Sequence, residues 1–363
     1  MWAILGRRHG DNGQVLALAR GLGVPFEEIR LAYNALYNAP NRLLGASLAS
    51  VTRAERPQLH DRSRKAWPDL VIAAGRRSVP VALWIKARAG GRTKIVQIGR
   101  PRAPLDRFDL VVTTPQYGLP QLANVETLPL PLTLSPEDAP PANGLSADWD
   151  KTFAGLARPW TGILIGGSTW PFKIDAAAAK RLAADIDRWL TTTGGSALIT
   201  TSPRTGASAA QALGAALNSP HHLHRWRSEA PNPYRAIIEL ADDLIVTSDS
   251  VSMLADACRT RKPVALWRAP VRSDPASRIG LSLGRQAGNH TSVGRLLRWS
   301  AARGIATPPR HVASLSDAVV GAGLAHWFAP DESQGRPQAE DGAAAEDRAL
   351  ARIVARVRRL SDL

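Results

Sequence analysis

The chain has one cysteine in 363 residues, Cys258, so no disulfide can close within it and no cysteine cluster can hold a metal ion. Cys258 sits in an apolar stretch with helical spacing, which predicts a small buried core residue. Long hydrophobic runs are also missing. None reaches the roughly 20 residues that a bilayer-spanning helix needs, and no basic-then-apolar leader precedes Trp2. A cytoplasmic protein is expected. Acidic residues are scarce beside basic ones, 31 against 46, for a net charge of +15. The imbalance is concentrated: residues 1–110 hold 19 basic and 8 acidic residues, and the remainder 27 and 23. The amino-terminal part therefore faces something anionic.

Nucleic acid is not the expected partner, because aromatic-plus-basic stacking motifs, zinc knuckles and recognition-helix signatures are all lacking. An anionic membrane surface fits better. From Asn41 to Lys65, Leu and Ala alternate with Arg as in an interfacial helix, where each basic residue near lipid contributes about 1 kcal/mol. Peripheral association with the inner face of the cytoplasmic membrane follows from that reading. A solvated basic face explains the same run.

The chain does have alternation, twice over. Strand candidates at Trp2 to Gly6, Phe26 to Tyr33, Leu70 to Ala74, Lys94 to Gly99, Leu110 to Thr114 and Val125 to Leu130 are interleaved with helical patterns at Gly13 to Leu22 and Ser78 to Ala89. Pro129 to Asp150 is rich in proline and reads as a linker. A second series runs from the strand Gly162 to Ile165 through the helix Ala176 to Thr191, the strand Ala197 to Thr201, the helix Ala207 to Leu217, the strand Leu244 to Thr247, the helix Ser252 to Cys258 and the strand Val264 to Trp267. The fold class is α/β: two doubly wound, Rossmann-like domains facing across a cleft. The expected boundaries are 1–145, 146–330, and 331–363 for a polar connection and a carboxy-terminal helix (Ala343 to Leu360) that returns to the first domain.

The stretch NPYRAIIELADDLIVTSDSVSMLADACRTRKPVALW carries the clearest chemistry. Between its strand and its helix lies a turn of small hydroxyl residues, Ser248 to Ser250, whose free amides and helix dipole suit a phosphate. Asp256, one turn later, can accept hydrogen bonds from a ribose diol. An ordinary connection capped by Ser250 is the plainer alternative. Four other loops look chemical. In GRRHGDNGQ, Gly10 and Gly13 allow close backbone approach while His9, Asp11 and Asn12 are presented, and Asp11 is a candidate general base if burial raises its pKa. Asp11 as a helix cap and His9 as the base are the alternatives. GGSTW, with Gly167 and Ser168, resembles a small anion loop. SPRTG offers Ser202 and Arg204, and QIGRPR places Arg100 and Arg102 at a strand end.

Two Asp-x-Asp triplets do not make a metal site. Asp185 and Asp187 fall two apart on a helix and point to different sides, and Asp148 and Asp150 fall in the linker. No metal or other cofactor is expected.

The motifs GDNGQVLALARGLG, DLVIAAGRRSVPVA, VQIGRPRAPLDRFDLVVTTPQY, IGGSTWPFK, TTSPRTG and the TSDSVSM block occur in order over residues 1 to 270. They resemble the mitochondrial fission-factor family of the elongated-mitochondria type, which has many bacterial members and is itself similar to glycosyltransferases of the GT-B fold. The resemblance implies a nucleotide-sugar donor on the second domain, held by Gly167, Ser168, Ser202, Arg204, Asn232, Tyr234, Ser248, Ser250, Ser252, Met253 and Asp256. It implies an acceptor on the first domain, near Asn12, Gln14, Arg100 and Arg102. Asp256 stands where such enzymes commonly have Glu, and Thr260 to Pro263 lacks the usual glycine. The implied activity is metal-free transfer of a sugar from a nucleotide diphosphate to a hydroxyl, on a lipid or a lipid-linked glycan. A nucleotide-sugar epimerase of the same fold and a non-catalytic membrane adaptor are the other readings.

Overall fold

The computed structural model describes residues 1–133, 146–227, 231–260, 262–288, 291–306, 309–331 and 342–361. The chain forms two compact units, the first made of Met1–Asp138, Gly280–His311 and Glu346–Leu363, the second of Ala139–Ile279 and Val312–Ala345. Segment 280–311 thus groups with the first unit, whereas the sequence reading assigns it to a second domain at 146–330.

In the first unit the strands are β1 (Trp2–Leu5), β2 (Glu27–Arg30), β3 (Leu70–Ala74), β4 (Lys94–Ile98), β5 (Leu110–Thr113) and β6 (Val125–Thr127), and its early helices are α1 (His9–Gly21), α2 (Asn41–Leu44), α3 (Arg56–Lys65) and α4 (Val79–Arg88). The sheet order is β2-β1-β3-β4-β5-β6, with every pairing parallel. A parallel sheet is covered on both faces, so its strands must be apolar on both sides. Here Trp2, Ile4, Val71 and Ile95 join Val81 and Ile85 of α4 in one cluster, while Ala3, Leu5, Ile72 and Val96 join Leu18 and Leu22 in another.

In the second unit α5 (Ser146–Phe153) precedes β7 (Trp160–Ile165), α6 (Ala176–Thr193), β8 (Ser196–Thr201), α7 (Ala207–Ala216), β9 (His221–His224), α8 (Tyr234–Leu240), β10 (Asp243–Thr247), α9 (Val251–Cys258) and β11 (Val264–Trp267). After α10 (Pro275–Gly288) and α11 (Ser292–Ala302) come α12 (Val312–Gly321), β12 (His326–Trp327) and α13 (Gly342–Ser361). The sheet order is β12-β11-β10-β7-β8-β9, again all parallel. Numbered within the unit, that is the order 3-2-1-4-5-6 of a doubly wound sheet, with its switch point between β7 and β10. Asp175 caps α6 by accepting from the Ala178 amide at 3.0 Å, and that helix buries Leu182, Ile186 and Trp189 on the sheet.

Two parallel six-stranded sheets, each with helices on both faces, are the architecture the alternation predicts. Three local expectations are corrected. Helix α1 begins at His9, not Gly13, so Asp11 lies in its first turn and Arg8, not Asp11, is the capping residue. Asn41 to Lys65 is no single interfacial helix. It breaks into α2, a 3-10 turn and α3, because Leu48, Val51 and Leu59 turn into the core. Asp148 and Asp150 belong to α5, while most of the expected linker, 134–145, lies outside the described residues, as does much of the polar stretch Asp331 to Gly342.

The carboxy-terminal helix packs by its apolar stripe. Ile353, Val354 and Val357 lie in the same cluster as Leu18 and Leu22, and Arg358 donates to the Leu22 carbonyl at 2.9 Å. Arg352 and Arg356 pair with Glu126, at 2.9 and 2.6 Å.

Candidate functional site

In the first unit the switch point lies between β1 and β3, where neighbouring strands connect in opposite directions and leave a crevice at their carboxyl ends. A cavity of about 450 Å³ opens there. Each of three adjacent strands, β1, β3 and β4, is followed by a glycine and then by two arginines: Arg7 and Arg8, Arg76 and Arg77, Arg100 and Arg102. All six line the cavity, with Arg310 as a seventh. Asp11 is the carboxylate among the lining residues. Burial pushes its pKa up from the ordinary value of 3.8, against the pull of Arg8, Arg310 and Arg77.

Aromatic rings hold several of these guanidinium groups. Arg77 lies 4.0 Å over the Tyr37 ring, and Tyr117 faces both Arg310 at 4.8 Å and Arg100 at 5.4 Å. Arg310 also donates to the Tyr117 hydroxyl. Arg76 reaches the Ala39 carbonyl at 3.4 Å. Burial first, then Arg102 and Arg77, lower the pKa of Arg76. Arg100 is pushed down to about 10 by burial and by Arg102. Burial is the larger cause in both cases and the neighbouring like charges add to it.

The sequence places four residues on the acceptor side, and two of them are charged residues that line this cavity. Those are Arg100 and Arg102. Asn12 also lines it, but its side-chain amide is committed to the backbone: it accepts from the Gly6 amide at 2.8 Å and donates to the Gly6 carbonyl at 2.9 Å. Gln14 lies outside the cavity and makes a long 3.4 Å bond to the Gly10 carbonyl. The side chain of His9 lies outside the described residues. Sequence reading missed Arg7, Arg8, Arg76, Arg77, Tyr117 and Arg310. The signal was there: Gly-Arg recurs after three strands, and only the strand order shows that the three are neighbours.

The second unit gathers the expected donor loops at its own switch point and locks them to one another. The Asp249 carboxylate accepts from the Gly167 amide at 2.7 Å, and Thr247 accepts from Gly166 at 2.8 Å. A Cβ on Gly166 would meet the Asp249 carboxylate, and one on Gly167 would lie 2.2 Å from the Arg204 backbone. These glycines therefore serve loop-to-loop packing. Ser202 and Thr205 donate to the Gly166 carbonyl, Ser168 bonds both polar groups of the Ile174 backbone, and Ser248 accepts from the Ala269 amide at 3.1 Å. The hydroxyls of Ser168, Ser202 and Ser248 are thus engaged inside the unit, where the family resemblance implies contacts to a nucleotide-sugar donor.

Tyr234 donates to Asp256 at 2.6 Å, and Asn232 accepts from the Tyr234 amide at 3.0 Å. Other groups at this switch point are open. Arg204 and Ser252 are exposed. Ser250, 2% exposed at the start of α9, has an oxygen with no hydrogen-bond partner, as does Asp249 Oδ1. Burial drives the Asp249 pKa up to about 6 despite the Gly167 bond. Arg261 lies outside the described residues. A separate cavity of about 350 Å³ opens where β11 ends, beside Arg181, Trp267 and Arg268, and none of the expected donor residues lines it.

Asp185 and Asp187 are not placed to share a ligand. Asp185 accepts from Trp267 Nε1 at 2.8 Å while Asp187 accepts from the Ser219 amide at 2.9 Å, so they face different partners. Among the described residues no group of three or more His, Cys, Asp and Glu side chains is placed to hold a metal. No described helix is long and apolar enough to cross a membrane.

Fold and loops together define a two-unit, doubly wound α/β protein whose strand-end loops present charged and hydroxyl groups at both switch points. The chain belongs to the mitochondrial fission ELM1 family, whose family model matches residues 9–303. It is 29% identical over 241 residues to the Arabidopsis thaliana mitochondrial fission protein ELM1, an alignment covering 60% of this chain and 56% of the plant protein. The chain therefore spans little more than half the length of that relative. It is 24% identical over 304 residues to the Rickettsia prowazekii (strain Madrid E) protein RP120, covering 74% of this chain and 83% of that one. Among solved structures it is similar to UDP-GlcNAc 2-epimerase from Methanocaldococcus jannaschii, with a TM-score of 0.49 and 12% identity over 98% of this chain and 99% of that chain.

Proposed function

We propose that the protein is a glycosyltransferase of the GT-B type that moves a sugar from a nucleotide diphosphate to a hydroxyl acceptor without a metal ion. The observation that carries this reading is Asp11: a carboxylate whose pKa is raised by burial, in a cavity of about 450 Å³ at the carboxyl ends of parallel strands. A general base must be close to the proton it removes and must have a pKa moved toward neutrality; the raised pKa of Asp11 and its place in the cavity support that role. In the reaction the acceptor oxygen forms a bond to the anomeric carbon, the bond from that carbon to the phosphate oxygen breaks, the hydroxyl proton passes to Asp11, and the nucleoside diphosphate leaves.

The donor belongs to the second unit in this reading. The first amides of α9, the unpartnered Ser250 hydroxyl and the exposed Arg204 supply what a diphosphate needs. A lipid or lipid-linked glycan is the acceptor of this reading, and the inner face of the membrane its place of work. Thermal-shift measurements across nucleoside diphosphates and their sugars test donor binding. A ligand at 100 times its Kd stabilises by about 2.7 kcal/mol, and Arg204→Ala should remove most of that shift. No shift with any activated sugar contradicts the reading.

One observation favours a second reading, a non-catalytic interaction protein: the hydroxyls of Ser168, Ser202 and Ser248 are bonded within the protein. A scaffold needs only that the loops be rigid. It predicts no nucleotide-induced shift.

A further inference from the structure

We infer that the arginine-lined cavity of the first unit is a binding site for a pyrophosphate group or a pair of closely spaced phosphates. Seven guanidinium groups and one carboxylate line it. Self-repulsion of that kind costs stability unless a counter-charge arrives; burial first, and then the neighbouring arginines, lower the pKa values of Arg76 and Arg100. Among the described residues Arg76, Arg77, Arg102 and Arg310 make no ion pair with a carboxylate. Their contacts are to neutral groups: backbone carbonyls, the Tyr117 hydroxyl and the faces of Tyr37 and Tyr117. Such contacts orient a guanidinium without cancelling its charge.

Arg102 adds an independent sign. Among the described residues it is the non-glycine residue at positive φ, 52°, a conformation that favours glycine. An arginine kept at a backbone position that suits glycine points to use of its side chain. The spread of donors over three strand ends and Arg310 matches a ligand with several anionic oxygens, since each arginine can bind phosphate through two parallel N–H groups. A lone carboxylate would leave most of them unanswered. The chemistry is that of a phosphorylated acceptor in the transfer proposed above, and that role rests on the transfer. The binding site does not: a chain that binds pyrophosphate through these arginines but releases nothing from any sugar donor keeps the site and loses only the role.

Isothermal titration of the full chain with inorganic pyrophosphate tests the site, with flotation on phosphatidylcholine vesicles containing phosphatidic acid as a second arm. Arg76→Ala and Arg310→Ala should each weaken pyrophosphate binding about tenfold or more. Arg102→Gly should weaken it while leaving the unfolding midpoint unchanged or higher, which separates loss of binding from loss of fold. Vesicle binding displaced by pyrophosphate identifies a lipid-borne phosphate, and pyrophosphate binding without flotation identifies a soluble one; both support the site. No titratable pyrophosphate binding, or binding unaltered in all three variants, overturns it.

Discussion

Tyr234 Oη donates to Asp256 Oδ2 at 2.6 Å, so two side chains that the family resemblance assigns to holding a nucleotide-sugar donor are bonded to each other. Burial raises the Asp256 pKa and the Tyr234 bond opposes that rise. Tyr234→Phe removes the donor from a buried acceptor, which costs about 1–3 kcal/mol. The sign with pH follows from linkage. A carboxyl whose folded pKa lies above its unfolded one contributes stability that is full at low pH and lost as pH rises through the folded value. Losing the donor lifts the Asp256 pKa further. Urea unfolding should therefore show a large Tyr234→Phe penalty at neutral pH and a small one below the ordinary carboxylate range; a penalty independent of pH contradicts the pairing.

Asp249 behaves in the same direction and can be isolated. Its pKa is raised from 3.8 to about 6 by burial, so the second unit should gain stability as pH falls through 6 toward 3.8, by about 3 kcal/mol at most. Asp249→Asn keeps an acceptor for the Gly167 amide and lacks the titration. The difference between the wild-type and variant stability curves should be flat above and below that window and sloped within it. Parallel curves throughout would remove the basis for a buried, protonatable Asp249.

Glycines that look alike in sequence separate by what surrounds them. A Cβ on Gly167 would sit 2.2 Å from Arg204 backbone atoms, so Gly167→Ala should destabilise by about 3 kcal/mol as the two loops are forced apart. Gly13, inside α1, has nothing within 4 Å of its Cβ position. Gly13→Ala should stabilise by up to about 1 kcal/mol. Thermal unfolding of the two variants is the check, and equal shifts would contradict the packing described.

Arg310 holds the Asp11 pKa below what burial alone would give. Arg310→Ala should therefore move the acid limb of the kcat/KM profile to higher pH, with Arg77→Ala acting in the same direction. A limb that stays in place under both substitutions would show that Asp11 is not the group whose ionisation is being read.

Much of the fold is written locally. Strands such as Leu70–Ala74 and Val264–Trp267 are continuous apolar runs because they are buried on both faces, and α6 shows its stripe at Leu182, Ile186 and Trp189. Loop positions at strand ends were legible for the same reason. The first turn of α1 was not, since Gly10, Asp11 and Gly13 carry loop propensity that the helix overrides. Nor was the meeting of the arginine pairs, which depends on β1 lying beside β3 and β3 beside β4. The hydrogen bonds that engage Ser202 and Ser248 likewise join residues distant in sequence. Hydroxyl-rich loops look the same whether they bind a ligand or each other.

The most direct test of the proposed transfer compares nucleoside diphosphate release by wild-type and Asp11→Asn chains, at equal donor occupancy, with a panel of nucleotide sugars and a cell lipid extract as the acceptor source. Loss of a general base lowers turnover by about 10²–10⁴. The expected result is release by the wild type and a fall of that order in Asp11→Asn, with donor affinity unchanged. Equal release from both chains, or none from a wild type saturated with donor, would contradict it.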